Sequence, residues 1–390
     1  MFMVRAGLPA SSRVASVDAL RGFAVLCILL LHNVEHFIFS VYPTDSPKWL
    51  SWLDGAVTEV AFGLFGGKAY AVFALLFGFS FFVQHERVRR EGGDFGWRFL
   101  WRLLLLCGFA SLNALLFPGG DVLLLYALLG VSLFVVRGWS DRAVLWGAVL
   151  CFAQPLEWVR LVAGLCGADW PLSDYGVGAM YGVLDGVTRH GSFWEFLWCN
   201  VTTGQVASLL WALGAGRVEQ TVGLFLLGLW IGRKGLFADG DASAAFWSRV
   251  LPLSAMSYAV LGCVSGLLPA EDELVRGTVG VAVDMWQKLS FTLVLVSGFL
   301  LLWRWDAVRR CVDGLRVYGR MSLTNYVSQS LLGFLVYFPF ALYLAPHLGA
   351  SVSVLVGMAM FAAQLWFCRW WLSHHAQGPL EWLWRKLTWL

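Results

Sequence analysis

The first apolar stretch of the chain carries five ionisable residues: Asp18, Arg21, His32, Glu35 and His36. At about 100° per helical residue they share an arc of roughly 100°, so one helix running through all five presents the whole set on one face. Ionisable groups inside an apolar helix are costly and usually face a bundle interior or a wet cavity. Arg21 and His32 are eleven residues apart, about 16 Å of helix rise and half the thickness of a bilayer's hydrocarbon core. The spacing therefore predicts Arg21 at one mouth of the membrane and His32 near its midplane.

Three readings of this stripe are open. In the first, the side chains satisfy one another and only pack helices. In the second they hold a metal, because His32-Asn33-Val34-Glu35-His36 matches the H-x-x-E-H string, in which two His at i, i+4 share an ion and Glu acts as base. No third ligand is evident, since His85, His347, His374 and His375 fall near span ends or in loops, and no metal is expected. In the third reading His32 is a general base in proton or acyl transfer, its ring oriented by Glu35 or Asp18, with His36 able at most to assist.

What positions these residues follows from composition. Of 390 residues, 59% are hydrophobic and only 14% charged, with a mean hydropathy of +0.69. Soluble domains carry about a quarter charged residues, so the chain reads as an all-α polytopic membrane bundle. Disorder, collagen and coiled coil are excluded with the soluble class, and a net charge of +3 gives no reason to expect a nucleic-acid partner. The 22 Trp residues suit an interfacial aromatic belt. The eight Cys form no CxxC pair and read as small buried hydrophobes.

Apolar runs predict about ten transmembrane helices, roughly 22–42, 57–84, 99–117, 121–137, 143–165, 219–232, 250–269, 284–303, 321–345 and 350–371. No small-residue cleavage site follows the first, which reads as a retained span. An N-in/C-in arrangement puts 21 of the 28 Lys and Arg, Arg5 and Arg13 among them, on the cytoplasmic side. The expected division is a cytoplasmic tail (1–17), a five-span N-terminal bundle with the stripe (18–165), an extracytoplasmic segment (166–218) and a C-terminal transmembrane domain (219–390). The extracytoplasmic segment is rich in aromatic and acidic residues, suited either to shaping an acceptor site or to lying on the bilayer as a lid.

Further polar residues interrupt later spans. Lys68 needs a carboxylate or a wet cavity, with Asp18, Glu35 and Glu59 as possible partners. Ser322, Asn325 and Gln329 make an uncharged polar face that either bonds a neighbouring helix or, with Lys68, lines a substrate path. Glu381 and Arg385 form an i, i+4 pair on a C-terminal helix.

The run Asp18-Ala19-Leu20-Arg21-Gly22, with His32 ten residues beyond Arg21's neighbour, resembles the Arg-X10-His opening of membrane acyltransferases of the acyltransferase-3 type. The rest of the chain is similar to the YeiB-like family of bacterial inner-membrane proteins (domain of unknown function 418), assigned to the same transmembrane acyltransferase superfamily. The matching blocks are Gly67-Lys68 with Phe73-Ala74-Leu75-Leu76-Phe77-Gly78, Gly120-Asp121-Val122-Leu123 with Tyr126, and Leu227-Gly228 with Gly232-Arg233. The tail adds Gly319-Arg320-Met321-Ser322-Leu323-Thr324-Asn325-Tyr326 with Gln329-Ser330, then Gly378-Pro379-Leu380-Glu381-Trp382 with Arg385. Where this chain has His32, YeiB-like proteins commonly have Asn.

The resemblance implies a multi-pass protein of the bacterial inner membrane, in contact with lipid, that moves an acyl group from cytoplasmic acyl-CoA to an extracytoplasmic hydroxyl or amine. That acceptor would be a glycan, a lipid head group or a small metabolite. Arg21, Arg98, Arg102, Arg316 and Arg320 would hold the donor's phosphates. The competing function is a proton-coupled transporter or lipid-handling protein that uses the same stripe without covalent chemistry.

Overall fold

The computed structural model describes residues 14–119, 121–170, 174–269 and 271–389. Arg5, Arg13 and Gly120 lie outside the described residues, as does most of the expected N-terminal tail. The described residues form helices and connecting loops with no strand, an all-α membrane bundle.

In chain order the first half comprises α1 (Ala15–Val34), α2 (Lys48–Phe65), α3 (Ala69–Arg90), α4 (Gly96–Ala114), α5 (Leu123–Leu129), α6 (Val131–Val136) and α7 (Asp141–Phe152). A short helix, α8 (Pro155–Leu165), completes the expected fifth span, and three more follow over the expected extracytoplasmic region: α9 (Val177–His190), α10 (Phe193–Cys199) and α11 (Gln205–Gly214). The rest is α12 (Arg217–Lys234), α13 (Asp241–Leu267), α14 (Glu273–Val275), α15 (Val281–Trp303), α16 (Asp306–Cys311), α17 (Asp313–Gly319), α18 (Ser322–Tyr337), α19 (Ala350–His374) and α20 (Pro379–Thr388). Among the described residues, six helical stretches are long and apolar enough to cross a membrane: Ala15–Val34, Lys48–Arg90, Asp141–Leu165, Asp241–Leu267, Glu273–Trp303 and Ala350–His374. The other runs expected to cross, held by α4, α5–α6, α12 and α18, are shorter or carry charge.

α1 is apolar around nearly its whole circumference, which calls for a central position. It packs against α2, α3, α15, α17, α18 and α19. Two glycine pairs bring backbones into direct contact. A Cβ on Gly319 would fall on the Asp18 carbonyl, and one on Gly22 on the Leu315 carbonyl, which locks α17 across the start of α1. Likewise Gly78 of α3 meets the Phe225 backbone and Gly228 of α12 meets that of Leu75. Small residues are the usual means of close helix approach where lipid offers no hydrophobic contrast. The α1–α17 and α3–α12 contacts cross the expected 165/219 division, so one core runs through both parts.

The helix ends sort into two groups. At one end Arg233 donates to the carbonyls of Trp139 (2.7 Å) and Arg137 (2.9 Å), Arg304 donates to that of Gly240 (3.1 Å), and Ser16, Asp239 and Arg304 line one small cavity. At the other, Asp54 of α2 accepts from the backbone N–H (2.8 Å) and hydroxyl (2.6 Å) of Ser351 and caps α19, while Asn200 donates to the Leu115 carbonyl at 2.9 Å. The basic loops assigned to the cytoplasm thus meet at one end of the bundle.

Two of the departures from the expected boundaries bear on the site. The second span, expected as 57–84, is broken at Gly66-Gly67-Lys68, where Gly67 takes φ +70°. Lys68 stays there as a helix cap. Its ammonium donates to the carbonyls of Phe62 (3.2 Å) and Gly63 (2.7 Å), orphan acceptors of α2's last turn. None of the three expected carboxylates bonds it; the nearby acid is Asp284, itself paired with Lys288. The first span, expected to reach residue 42, ends as a helix at Val34, because His36, Phe37 and Ile38 all adopt left-handed backbone (φ 49°, 55° and 63°).

Candidate functional site

The early end of α1 separates the five residues of the stripe. Asp18 and Arg21 pair at 2.9 Å at its start, and Arg21 also donates to Ser80 Oγ at 3.0 Å. His32 sits in the last turn, about 21 Å of helix rise from Asp18. It is buried, its Nδ1 lacks a hydrogen-bond partner, and its ring packs against Phe117 (4.7 Å between centroids) and Phe37 (5.5 Å). No carboxylate of the described residues bonds it, so neither Glu35 nor Asp18 orients the ring as expected. Glu35 terminates α1 and His36 lies beyond it.

His36 is fully committed. Its Nδ1 donates to the Val41 carbonyl at 2.8 Å, which leaves Nε2 to accept from Ser353 Oγ at 2.9 Å. Its ring lies between Tyr337 (4.5 Å) and Tyr42 (4.4 Å). A side chain held on both nitrogens and both faces pins the left-handed turn. The H-x-x-E-H string needs both His on one helix, and here the helix stops between them. Among the described residues no three His, Cys, Asp or Glu side chains gather into a group able to hold a metal.

Along the loop whose Phe117 packs on His32 runs a seam of buried polar groups. The Asn113 amide, Asp121 Oδ2, the Gln329 amide and Ser330 Oγ are all buried without hydrogen-bond partners. Asp121 Oδ1 accepts from Leu123 N–H at 3.0 Å, Val122 N–H donates to the Tyr326 hydroxyl at 3.1 Å, and Asn113 and Tyr326 face the Asp121 carboxylate. The seam continues through Tyr126, whose hydroxyl donates to the Tyr70 carbonyl at 2.6 Å, and through the Tyr70–Gln220 hydrogen bond, to Gln220 Nε2, which donates to the Met285 carbonyl at 2.9 Å.

On α18 the residues Tyr326, Gln329, Ser330, Gly333 and Tyr337 share one face at helical spacing. Gly333 lies under the Phe37 ring and the Tyr337 hydroxyl donates to Asn33 Oδ1 at 2.9 Å, so this face looks toward the end of α1. Unpaired buried polar atoms are rare and costly, and a cluster of them beside an unpaired imidazole suits a polar ligand or water. The loop carrying Phe117 is covered by the α9–α11 segment: Gly204 abuts Pro118, and Tyr181 approaches Gly119.

Of the expected path residues only Gln329 joins this seam. Asn325 turns the other way, its amide donating to the Tyr318 carbonyl at 2.9 Å and meeting Cys368 Sγ at 3.3 Å, and Ser322 opens α18. Of the expected donor-binding arginines, Arg98, Arg102 and Arg320 meet the C-terminal helix or the loop before it, while Arg21 and Arg316 are paired with acids on their own helices. Arg98 stacks on Trp389 (4.2 Å), Arg102 stacks on Trp384 (4.1 Å), Arg316 pairs with Asp313 (2.7 Å) and Arg320 donates to the Ala376 carbonyl (3.4 Å). Glu381 accepts from the first N–H groups of α18 and makes no pair with Arg385.

Sequence reasoning gave Asn113 and Tyr70 no part, and it placed Asp121 and Tyr326 only in the blocks of resemblance, with no role at a site. Asp121 had a further signal, an acid just after Pro118-Gly119-Gly120 between two apolar runs. Asn113 and Tyr70 had none, because a lone amide or phenol in an apolar helix looks the same whether it packs or binds.

Residues 231–390 match the family model described as protein of unknown function (DUF418). Along nearly its whole length the chain is similar to the uncharacterised protein YxaH of Bacillus subtilis, at 26% identity over 97% of this chain and 95% of the relative. It is similar also to the uncharacterised protein YeiB of Escherichia coli, at 29% identity over 96% of each. No solved structure matches.

Proposed function

We propose that this YeiB-like protein of the DUF418 family is a multi-pass acyltransferase of the bacterial inner membrane, moving an acyl group from cytoplasmic acyl-CoA to a hydroxyl or amine reached from the opposite side. The observation that supports this best is His32: a buried imidazole with an unpartnered nitrogen, at the end of the central helix and beside unpaired polar groups. A neutral imidazole there takes the acceptor's proton as the acceptor heteroatom attacks the thioester carbonyl carbon. The C–S bond then breaks and the departing thiolate takes the proton back from the imidazolium, leaving acylated acceptor and free CoA. Asn113, Gln329 and Ser330 are the groups able to donate to the carbonyl oxygen as negative charge develops. Arg98 and Arg102, stacked on Trp389 and Trp384 beside α20, are the cationic groups for the donor's phosphates.

The second reading, proton-coupled transport or lipid handling without covalent chemistry, draws on the same seam. Purified protein in lipid nanodiscs, given radiolabelled acetyl-CoA and a membrane extract as acceptor source, separates the two. Wild type should release CoA and label an acceptor, and His32→Ala should do neither while binding CoA normally. No CoA release by wild type, or full release by His32→Ala, overturns the assignment.

A further inference from the structure

Arg217 opens α12 with its guanidinium between two rings, 4.5 Å from the centre of Tyr70 and 4.3 Å from that of Trp211. Its Nε is buried without a hydrogen-bond partner, and it makes no ion pair. Guanidinium is charged at every accessible pH and carries its donors in one plane, so stacking occupies its faces and leaves its edge unused. An unsatisfied arginine edge in a low-dielectric setting matches a planar or tetrahedral anion. Trp211, which covers one of its faces, is itself 40% exposed.

Glu35, the residue that ends α1, is near enough for its charge to act on Arg217 yet makes no direct bond to it. A ligand anion bound between them would be repelled by Glu35 unless it carried a hydrogen-bond donor on that side. Tyr181, the other nearby phenol, touches the loop at Gly119, two residues from the Phe117 ring that packs on His32. The Arg217 edge, Glu35 and His32 therefore border one region at the same end of the bundle.

We propose that Arg217, held by Tyr70 and Trp211, binds a phosphate or carboxylate on the acceptor, and that Glu35 receives a hydroxyl or ammonium next to that anion. Calling this ligand the acceptor rests on the acyl-transfer reading; anion binding does not, and is measured without any donor. The chemistry fits a phosphoglycerol or phosphoethanolamine group, presented by a lipid or by a soluble ester.

Two probes distinguish the sources. Labelled glycerol 3-phosphate in solution and labelled phosphatidylglycerol in phosphatidylcholine nanodiscs are each titrated against wild type, Arg217→Lys and Arg217→Gln. Wild type should bind one of them saturably, Arg217→Gln should lose roughly tenfold or more in affinity, and Arg217→Lys, which keeps the charge without the fork, should fall between. If Arg217→Gln does not fold, Trp211→Leu, at a partly exposed position, should weaken binding severalfold. Absence of saturable binding of both probes, or equal affinity in wild type and the folded variants, overturns the site. His32→Ala should bind the same probe as wild type does; in wild type, saturable probe binding without acyl transfer would overturn the acyl-transfer reading alone, and acyl transfer without probe binding would overturn this site alone.

Discussion

Glu381 caps α18 through Thr324. Its carboxylate accepts from the Thr324 backbone N–H at 3.1 Å and the Thr324 hydroxyl at 2.6 Å, and from the neighbouring Leu323 N–H at 2.7 Å. Thr324 Oγ1 in turn accepts from Leu380 N–H at 3.2 Å, so the two helix starts satisfy each other. Glu381→Ala should lower the folding free energy by at least about 1–2 kcal/mol, the range for loss of a helix cap, seen as a drop in thermal midpoint in detergent. Thr324→Val should lower it too, and the double variant should cost less than the two singles added. Strict additivity would mean that the two residues act independently.

The contact between α1 and α17 leaves no room for a side chain. A methyl group at Gly319 falls on the Asp18 carbonyl, which is backbone and cannot rotate away. Gly319→Ala should therefore force the helices apart and cost about 1–3 kcal/mol, the range for overpacking. Gly298, within α15, has nothing within 4 Å of its would-be Cβ. Gly298→Ala should be neutral or slightly stabilising, by up to about 1 kcal/mol from helix propensity. Equal midpoints for the two variants would show that the close crossing does not matter.

Much of the fold was legible in the sequence because burial in lipid is written in composition. The deficit of charge and the alternation of basic loops identify a helical membrane bundle without any coordinates. The short blocks that carry the resemblance to the YeiB-like family were visible too, and in the structure they do mechanical work: Gly78 and Gly228 close the α3–α12 contact, Gly22 and Gly319 close α1–α17, and Glu381 caps the helix that begins at Ser322. The site was harder to read. The stripe calculation assumed a helix through Glu35 and His36, and nothing local stops one: neither Gly nor Pro follows Val34 until Pro43. The chain turns at His36 through three residues in the left-handed region, at about 1–2 kcal/mol each. Ser353, Tyr337 and Val41 hold it there, and two of those partners lie more than 300 positions away in the chain.

Native cysteines test the orientation. Cys166 and Cys311 are both exposed, Cys166 just past α8 and Cys311 in α16 among the basic loops. With both termini in the cytoplasm, a membrane-impermeant maleimide added to intact cells should label a variant retaining only Cys166. A variant retaining only Cys311 should label only after the inner membrane is opened. The reverse pattern would invert the topology and put the arginines around α20 on the wrong side for a cytoplasmic donor.

The two histidines of the expected stripe should part company under substitution. His36 uses both nitrogens and both ring faces, so His36→Leu loses two hydrogen bonds and leaves Ser353 and the Val41 carbonyl unsatisfied. Its cost should be about 2–4 kcal/mol, at roughly 1–2 kcal/mol for each buried group left unpaired. His32 makes no hydrogen bond among the described residues and packs on Phe117 and Phe37, so His32→Leu exchanges an unsatisfied ring for an apolar group against two aromatic rings. Its thermal midpoint should stay at or above that of wild type. Thermal melts of both variants beside acetyl transfer from radiolabelled acetyl-CoA separate function from packing. A stable His32→Leu without turnover is the signature of a residue kept for chemistry at some cost to the fold. If His32→Leu melts as low as His36→Leu, His32 is a packing residue and the transfer chemistry must be sought elsewhere along the seam, with Asp121 the first carboxylate to replace.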